Sequence, residues 1–161
     1  MRALVLSDTH IRPGRNRKLP NAVYAALAEA DVILHAGDIV TWDLLDELSG
    51  FAPVHAVLGN NDHALIGDLP ESLELELDGV RVAMVHDSGP TQGRARRMHQ
   101  RFPDAALVVY GHSHAPFDGP GDAGQLLLNP GSPTERRAQP RHSFGLLDLD
   151  AGTVASRLVY I

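Results

Sequence analysis

Seven side chains of this sequence can bind metal ions through oxygen or imidazole nitrogen, and they recur directly after short apolar segments. They are two carboxylates, one amide and four imidazoles: Asp8, His10, Asp38, Asn60, His86, His112 and His114. Such donors without thiolate suit Mn, Fe, Zn, Ni or Co. Seven ligands exceed the three of a mononuclear catalytic zinc site, so the set fits two ions. Two ions about 3.5–4 Å apart can clamp both reacting oxygens of a phosphoryl displacement. Asp38 is our candidate for a carboxylate that bridges them.

The spacing within two of the motifs also favours a shared site. Asp8 and His10, and likewise His112 and His114, are two residues apart, which directs both side chains of a pair to one side of an extended segment. Taken one at a time, Asp8, Asp38 and Asn60 are more typical of turns or caps than of ligands. Their recurrence in one order along the chain favours the metal site.

Five apolar runs rich in β-branched residues predict the strands that position these side chains. The runs are Arg2–Ser7, Val32–His35, Val54–Leu58, Arg81–Val85 and Ala106–Tyr110. In open α/β sheets, ligands bind outside the carboxyl ends of the strands. Side chains that are distant in sequence can therefore converge there.

The remaining pattern predicts helices in the first two thirds and strands in the last third. Helices are expected over Asn21–Glu29, with Asn21 as the cap, over Thr41–Leu48, with Thr41 as the cap, and over Thr91–Arg101. A hairpin is expected where Asp78-Gly79 follows the alternating Leu73–Leu77. Further strands are expected at Gln125–Leu128, Ser143–Asp148 and Val154–Tyr160, and loops at Ala115–Gly124 and Gly131–Arg141. This order predicts an α/β domain with two mixed sheets packed together and helices outside.

Composition narrows the function classes. The 161 residues are 43% hydrophobic and 21% charged, which predicts one ordinary domain over residues 1–161. Cysteine is absent, which excludes disulfides, thiolate metal sites and cysteine nucleophiles. A net charge of −6 speaks against a general attraction to nucleic acid or anionic membrane. The apolar runs are too short for a membrane span or a signal peptide, so we expect a cytoplasmic protein without a membrane partner.

Five motifs together resemble those of the calcineurin-like metallophosphoesterases. They are Asp8-Thr9-His10, Gly37-Asp38, Gly59-Asn60-Asn61-Asp62, His86 and Gly111-His112-Ser113-His114, in the family's order. The short length and Asn129-Pro130-Gly131-Ser132 resemble the small bacterial and archaeal phosphodiesterase subfamily.

The resemblance implies a fold, a ligand set and a mechanism. The fold is a four-layer αββα sandwich with a dinuclear metal site at the strand ends. One ion would be held by Asp8, His10, Asp38 and His114, and the other by Asp38, Asn60, His86 and His112. A hydroxide bridging the ions would attack phosphorus directly and in line, without a covalent enzyme intermediate. Mn is our first choice of ion, with Fe, Ni, Co and Zn as alternatives.

The sequence departs from the broad family pattern at two positions. Many members carry a histidine directly after the Asn of the third motif, where this chain has Asn61, so the general acid is unassigned. His63 is a candidate that the geometry must test. His86 is followed by Asp87, where the family commonly has glycine, and we still predict His86 as a ligand.

For the other polar residues, the sequence favours a structural role or leaves a structural and a functional role equally open. His35 and His55 are expected in the core or at a sheet edge, and His99 and His142 at the surface. Asp62 either orients a ligand or forms a turn, and Asn129–Ser132 either lines the site or is a tight turn. Arginines near the first motif, Arg12, Arg15 and Arg17, either recognise substrate phosphate or cover a solvated loop. For Arg94–Arg101 we favour the solvated face.

We therefore predict a dinuclear metal-dependent phosphodiesterase acting on a small diester, with Asp38, Asn60 and His112 as catalytic candidates. Alternatives are a partner-binding scaffold of the same fold without turnover, a phosphomonoesterase and a nuclease. Complete metal motifs favour an enzyme over the scaffold, and the negative charge disfavours the nuclease. The resemblance is compatible with a homodimer or homotetramer.

Overall fold

Two mixed five-stranded sheets form the centre of the molecule, in a computed structural model that describes residues 1–161. The strands are β1 (Arg2–Leu6), β2 (Val32–His35), β3 (Val54–Ala56), β4 (Ser72–Leu77), β5 (Val80–Val85), β6 (Leu107–Val109), β7 (Phe117–Pro120), β8 (Leu126–Asn129), β9 (Ser143–Asp150) and β10 (Thr153–Tyr160). The first sheet has the order β10-β9-β1-β2-β3 and the second the order β4-β5-β6-β8-β7.

Parallel strands occupy the part of each sheet that carries the candidate residues. In the first sheet β1, β2 and β3 are parallel, while β9 and β10 run antiparallel to their neighbours. In the second sheet β5, β6 and β8 are parallel, and β4 and β7 are antiparallel additions. The carboxyl ends of the parallel strands in each sheet therefore lie at one edge.

Three helices cover the outer faces: α1 (Asn21–Leu27), α2 (Trp42–Ser49) and α3 (Arg94–Arg101). Alternate residues of β1 supply two different cores, because successive side chains of a strand point to opposite faces. Ala3 and Val5 pack between the two sheets, whereas Leu4 and Leu6 pack against α1 and α2. A third core joins the second sheet to α3. The layers are therefore helix, sheet, sheet and helix, which confirms the predicted sandwich. None of the helices has the length and apolar character needed to cross a membrane.

Most predicted elements are present, and three local predictions are wrong. The predicted loop 115–124 contains β7, which pairs antiparallel with β8 at the sheet edge, where Pro and Gly are tolerated. The last helix begins at Arg94 and not at Thr91, because Gly93 adopts φ +73°. Asn21 is not the cap of α1, because it is already helical and Pro20 precedes it as the cap; Thr41 is at its predicted cap position, without a side-chain bond.

The predicted hairpin is confirmed. Leu77 pairs with Val80 across a two-residue turn. Both turn residues have positive φ, 49° at Asp78 and 78° at Gly79. This is the geometry that an Asp-Gly turn favours between twisted strands.

Candidate metal centre

The segments that follow five strands bring all seven candidate side chains to one place, where the two sheets meet at their carboxyl edges. Asp8 and His10 follow β1, Asp38 follows β2 and Asn60 follows β3. His86 follows β5 directly, and the pair His112 and His114 follows β6.

Three of these side chains form what we call the buried cluster: Asp8, His10 and His114. Their exposed fractions are 0%, 6% and 1%. Nε2 of His114 lies 3.3 Å from Oδ1 of Asp8 and 3.3 Å from Nε2 of His10. The two imidazole rings are stacked with centroids 5.1 Å apart. Three ligand atoms at these separations can surround one cation.

Three others form the open cluster: Asn60, His86 and His112. Oδ1 of Asn60 lies 3.1 Å from Nε2 of His86 and 2.9 Å from Nδ1 of His112. His86 is 4% exposed, but His112 is half-buried and Asn60 is exposed. The open cluster therefore faces solvent on one side.

Asp38 lies between the two clusters. Its Oδ2 is 3.3 Å from Nε2 of His10 and 3.5 Å from Nε2 of His86. This is where a bridging carboxylate has to lie. Asp8 also approaches both clusters, because its Oδ1 is 3.9 Å from Nε2 of His86. Asp8 and Asp38 therefore both lie within reach of the two clusters.

Backbone carbonyls orient two of the imidazoles. Nδ1 of His86 donates to the carbonyl of Ala36 at 2.7 Å, and Nδ1 of His114 donates to the carbonyl of Glu135. A histidine that donates from Nδ1 presents the lone pair of Nε2, which is the atom that faces the clusters here.

Burial leaves one carboxylate oxygen without a partner. Oδ2 of Asp8 accepts hydrogen bonds from Ser7 Oγ at 2.7 Å and from the backbone of His112 at 3.0 Å. Oδ1 is buried and has no hydrogen-bond partner. Burial raises the pKa of Asp8 to about 7, against the opposing charge of His86 and the bond from Ser7. A cation would satisfy this oxygen, so the donor set fits a metal.

Three of the other ionisable groups, His10, His114 and Asp38, have pKa values that suit cation binding at neutral pH, whereas that of His86 does not. Burial lowers the pKa of His10 below its usual range and that of His114 to about 4, so both imidazoles are neutral. Burial opposes ionisation of Asp38, but hydrogen bonds from His86 and Asn61 outweigh it and hold the pKa of this carboxyl well below its usual range. Burial lowers the pKa of His86, but the bond to Asp38 and the charges of Asp8 and Asp38 raise it more.

The backbone is strained at most of the candidate residues. Five of the seven have positive φ without being glycine: Asp8 (55°), His10 (45°), Asp38 (58°), His112 (66°) and His114 (57°). Such conformations cost about 1–3 kcal/mol each and cluster at functional sites. Here they turn the side chains back toward the strand ends.

Two glycines permit the close approach of the loops. A Cβ on Gly59 would lie 2.3 Å from Oδ1 of Asp38, and one on Gly111 would lie 1.9 Å from Oγ of Ser7. Any larger residue at either position would displace the carboxylates of the centre.

Asp62 and Asn61 position Asp38, and the structure decides what the sequence left open for Asp62. The buried carboxylate of Asp62 accepts backbone N–H bonds from Asp38 at 2.9 Å, Val40 at 2.7 Å and Gly59 at 2.7 Å. It therefore ties the loop after β2 to the loop after β3. Asn61 donates to Asp38 from its backbone and from its side-chain amide, each at 2.8 Å.

A second support, which we call the strap, comprises residues 129–135. Nδ2 of Asn129 donates to the carbonyl of Gly111 at 3.1 Å, and Oγ of Ser132 donates to the carbonyl of Asp8 at 2.7 Å. Oγ1 of Thr134 donates to the carbonyl of Thr9 at 2.6 Å. The strap thus holds the loops after β1 and β6. Our sequence reasoning noted residues 129–132 without this role and missed Ser7 and Thr134, whose types carry no signal of it.

The remaining histidines include one core residue and one that lines a cavity. His35 is fully buried with Nε2 3.0 Å from Oγ1 of Thr9, and burial lowers its pKa to about 3, which agrees with the predicted core role. His55, His99 and His142 are half-buried. His63 is exposed and lines a cavity of about 500 Å³ together with Asn60, His86 and His112. We call this the large cavity.

The arginine groups separate into structural and site-facing members. Nε of Arg97 donates to the carbonyl of Ser88 at 2.9 Å, and Arg94 donates to the hydroxyl of Tyr110 at 3.2 Å, so these two hold local structure. Arg101 is the member of that group that lines the large cavity. Arg12, Arg15 and Arg17 line a separate cavity beside His10.

Comparison with known proteins identifies the family. The family model for the calcineurin-like phosphoesterase superfamily domain matches residues 1–152. The chain belongs to this superfamily. A probable metallophosphoesterase from Methanothermobacter thermautotrophicus is 38% identical over 135 residues, which cover 83% of this chain and 77% of that protein. Another probable metallophosphoesterase, from Methanocaldococcus jannaschii, is 36% identical over 137 residues. The match covers 83% of this chain and 68% of that protein.

Solved structures agree with this calcineurin-like fold. A solution structure of a Thermotoga maritima protein has a TM-score of 0.75 and 32% identity, and the match covers 99% of each chain. Wild-type Vps29 from Entamoeba histolytica in complex with zinc has a TM-score of 0.77 and 24% identity, again over 99% of each chain. This second likeness shows the fold alone.

Proposed function

We propose that the chain hydrolyses phosphodiesters at a dinuclear metal centre held by the buried cluster, the open cluster and Asp38. The observation that carries the proposal is Oδ2 of Asp38, which lies within 3.5 Å of an imidazole nitrogen from each cluster. A structural ion pair would need only one such contact. Asp38 makes two, and a buried oxygen of Asp8 lies beside it without a hydrogen-bond partner. Together these features favour two cations that share the carboxylate of Asp38.

Each residue of the centre has a separate task in this proposal. Asp8, His10 and His114 would hold one divalent ion, Asn60, His86 and His112 the other, and Asp38 both. When bound, two divalent ions lower the pKa of water and offset the negative charge that develops on a phosphoryl group. Asn60 and His112 border the large cavity, so they are the protein groups that would stand next to the substrate. Manganese is the ion that we propose to test first.

Two separate cavities that adjoin the centre support a diester over a monoester. The large cavity starts from Asn60, His86 and His112. A cavity of about 290 Å³ starts from His10 and Asn61. A phosphodiester carries two ester arms, and a phosphate held between the clusters could send one arm into each cavity. A monoester would fill only one.

His63 lines the wall of the large cavity, so a leaving group that entered this cavity would pass beside it. An imidazole in that position can protonate a departing alkoxide when the substrate brings the oxygen within hydrogen-bond distance. We propose His63 as the general acid, in place of the histidine that the family commonly has at the position of Asn61.

The first test is hydrolysis of bis(p-nitrophenyl) phosphate by metal-stripped protein, with and without added Mn²⁺. We expect turnover only with the ion, and faster turnover of this diester than of p-nitrophenyl phosphate. The knock-out is Asp38→Asn, and the matched control is Asp46→Asn, an exposed aspartate of α2.

The outcomes of this experiment distinguish a phosphodiesterase from a phosphomonoesterase and from a scaffold without turnover. Turnover that is restored by metal and lost in Asp38→Asn supports the proposal. Faster monoester hydrolysis would make the protein a phosphomonoesterase. Tight metal binding without turnover of either ester would overturn the enzymatic proposal, and the partner-binding scaffold would replace it.

A further inference from the structure

A compact pocket beside the buried cluster is lined entirely by polar side chains. We call it the arginine pocket. It has a volume of about 290 Å³ and is lined by Arg12, Arg15, Arg17 and Arg137, with Glu135 and the two site residues His10 and Asn61. Three of the arginines come from the loop after β1 and the fourth comes from beyond the strap, more than a hundred residues later.

The pocket carries a local excess of positive charge in a chain whose net charge is −6. Four guanidinium groups face one carboxylate. Arg17 donates to Glu135, and Nε of Arg137 lies 3.9 Å from the same carboxylate. The guanidinium groups of Arg12 and Arg15 have neither an ion pair nor a hydrogen bond. These two exposed guanidinium groups are therefore free to pair with an anion.

Hydrogen bonds connect the arginine pocket directly to the candidate metal centre. Nη1 of Arg17 donates to the carbonyl of His10 at 3.3 Å. The backbone carbonyl of Glu135 accepts the hydrogen bond of His114, so the residue that holds Arg17 also orients a candidate ligand. An anion in the pocket would lie directly next to a phosphate bound between the two clusters.

Arginine forks match phosphate oxygens with paired hydrogen bonds, and the volume is that of one phosphate with part of the group that carries it. We propose that the arginine pocket binds a second phosphate of the substrate. The substrate class is then a small phosphodiester that carries a further, terminal phosphate on the arm next to His10. This inference rests on the proposed phosphodiesterase function.

The test compares two substrates that differ by one phosphate. They are thymidine 5′-(p-nitrophenyl phosphate) and the same compound with a 3′-phosphate, each with Mn²⁺-loaded protein. Charge-assisted hydrogen bonds contribute enough that we expect kcat/KM to be at least about tenfold higher for the 3′-phosphorylated compound. The double variant Arg12→Gln/Arg15→Gln should bring the ratio of the two kcat/KM values close to one. Arg96→Gln, an exposed arginine of α3, should leave the ratio unchanged.

A binding measurement without catalysis makes the two proposals separable. Mn²⁺-loaded protein is titrated calorimetrically with thymidine 3′,5′-bisphosphate and with thymidine 5′-phosphate, whose single phosphate the ions would hold. The bisphosphate should bind about tenfold more tightly than the monophosphate. The double variant should bind the two nucleotides with equal affinity, and added salt should reduce the difference in affinity for the parent protein.

Each outcome bears on one proposal. If neither substrate turns over but the bisphosphate still binds through Arg12 and Arg15, the pocket stands and the phosphodiesterase proposal fails. If both substrates turn over equally and both nucleotides bind equally, the pocket proposal is overturned. Faster, arginine-dependent cleavage of a DNA oligonucleotide would also overturn it, in favour of a nuclease groove.

Discussion

The buried and the open clusters use similar donors in opposite surroundings. His10 and His114 lie under the strap and beside the arginine pocket, with stacked rings and lowered pKa values. The rings of His86 and His112 meet edge to face, with centroids 5.2 Å apart, at the mouth of the large cavity. One half of the centre is therefore buried and bonded to the strap, whereas Asn60 and His112 of the other half face solvent.

The difference has an electrostatic consequence. Without a cation, burial penalises the charge of Asp8, while Asn60 and His112 remain in contact with water. We therefore expect the buried cluster to gain more from a cation than the open cluster, and to bind its ion more tightly.

The largest effect should come from Asp38, because both clusters depend on it. Asp38→Ala should remove both bound ions and lower hydrolysis by about a thousandfold or more, since bound ions contribute several kcal/mol to such reactions. Metal content after dialysis and the rate with the activated diester measure the two losses. An Asp38→Ala protein that keeps two ions would break the bridging assignment.

The next effect should distinguish the clusters from one another. His112→Ala should leave one tightly held ion in the buried cluster, whereas His114→Ala should lose that ion and keep only the weaker one. Because a ligand atom is removed, the affinity for the ion affected should fall by more than the roughly 100-fold that supporting residues contribute. Calorimetric titration with Mn²⁺ gives the number of sites and their affinities. Loss of the same ion in both variants would show that the clusters are not separate sites.

A smaller effect is expected at Asp62, whose carboxylate accepts hydrogen bonds from backbone N–H groups alone. Asp62→Asn should weaken metal binding by about 10–100-fold, because the backbone amides of Asp38, Val40 and Gly59 lose a shared acceptor. The weakening should fall on the open cluster and on Asp38 more than on His10 and His114. Asp68→Asn, an exposed residue nearby in sequence, is the matched control and should bind metal as the parent does.

The smallest expected effect is on the pH dependence of metal binding at the buried cluster. Because the pKa of Asp8 is raised to about 7 without metal, a proton must leave this carboxyl before a cation binds. The affinity of the buried cluster should therefore rise with pH up to about 7 and fall about tenfold for each pH unit below it. Calorimetry in buffers of different ionisation enthalpy should detect the released proton.

The control for this prediction is Asp8→Asn, which cannot release the proton. It should bind more weakly and show a shallower pH slope over the same range. An unchanged slope would place the titrating group elsewhere.

Much of the architecture could be read from local patterns. Strand period, the Asp-Gly turn and the positions of the polar residues after each strand are properties of short segments, so β1, β2 and the β4–β5 hairpin were predictable. The strand β7 was not, because its Phe-Asp-Gly-Pro sequence has no strand pattern and it forms only through pairing with β8.

Residue types and their spacing were enough to indicate which seven side chains could bind metal, that they follow strands, and that two sheets carry them. Which of these side chains contact one another, and how deeply each is buried, depends on the tertiary structure. The contact of Asp8 with His114 and the bonds of the strap to the loop after β1 join residues more than a hundred positions apart. The pairing of Arg17 with Glu135 spans a similar separation. Local sequence propensity cannot predict contacts between residues so far apart in the chain. Long-range packing decides which loops contact each other and which carboxylates are desolvated.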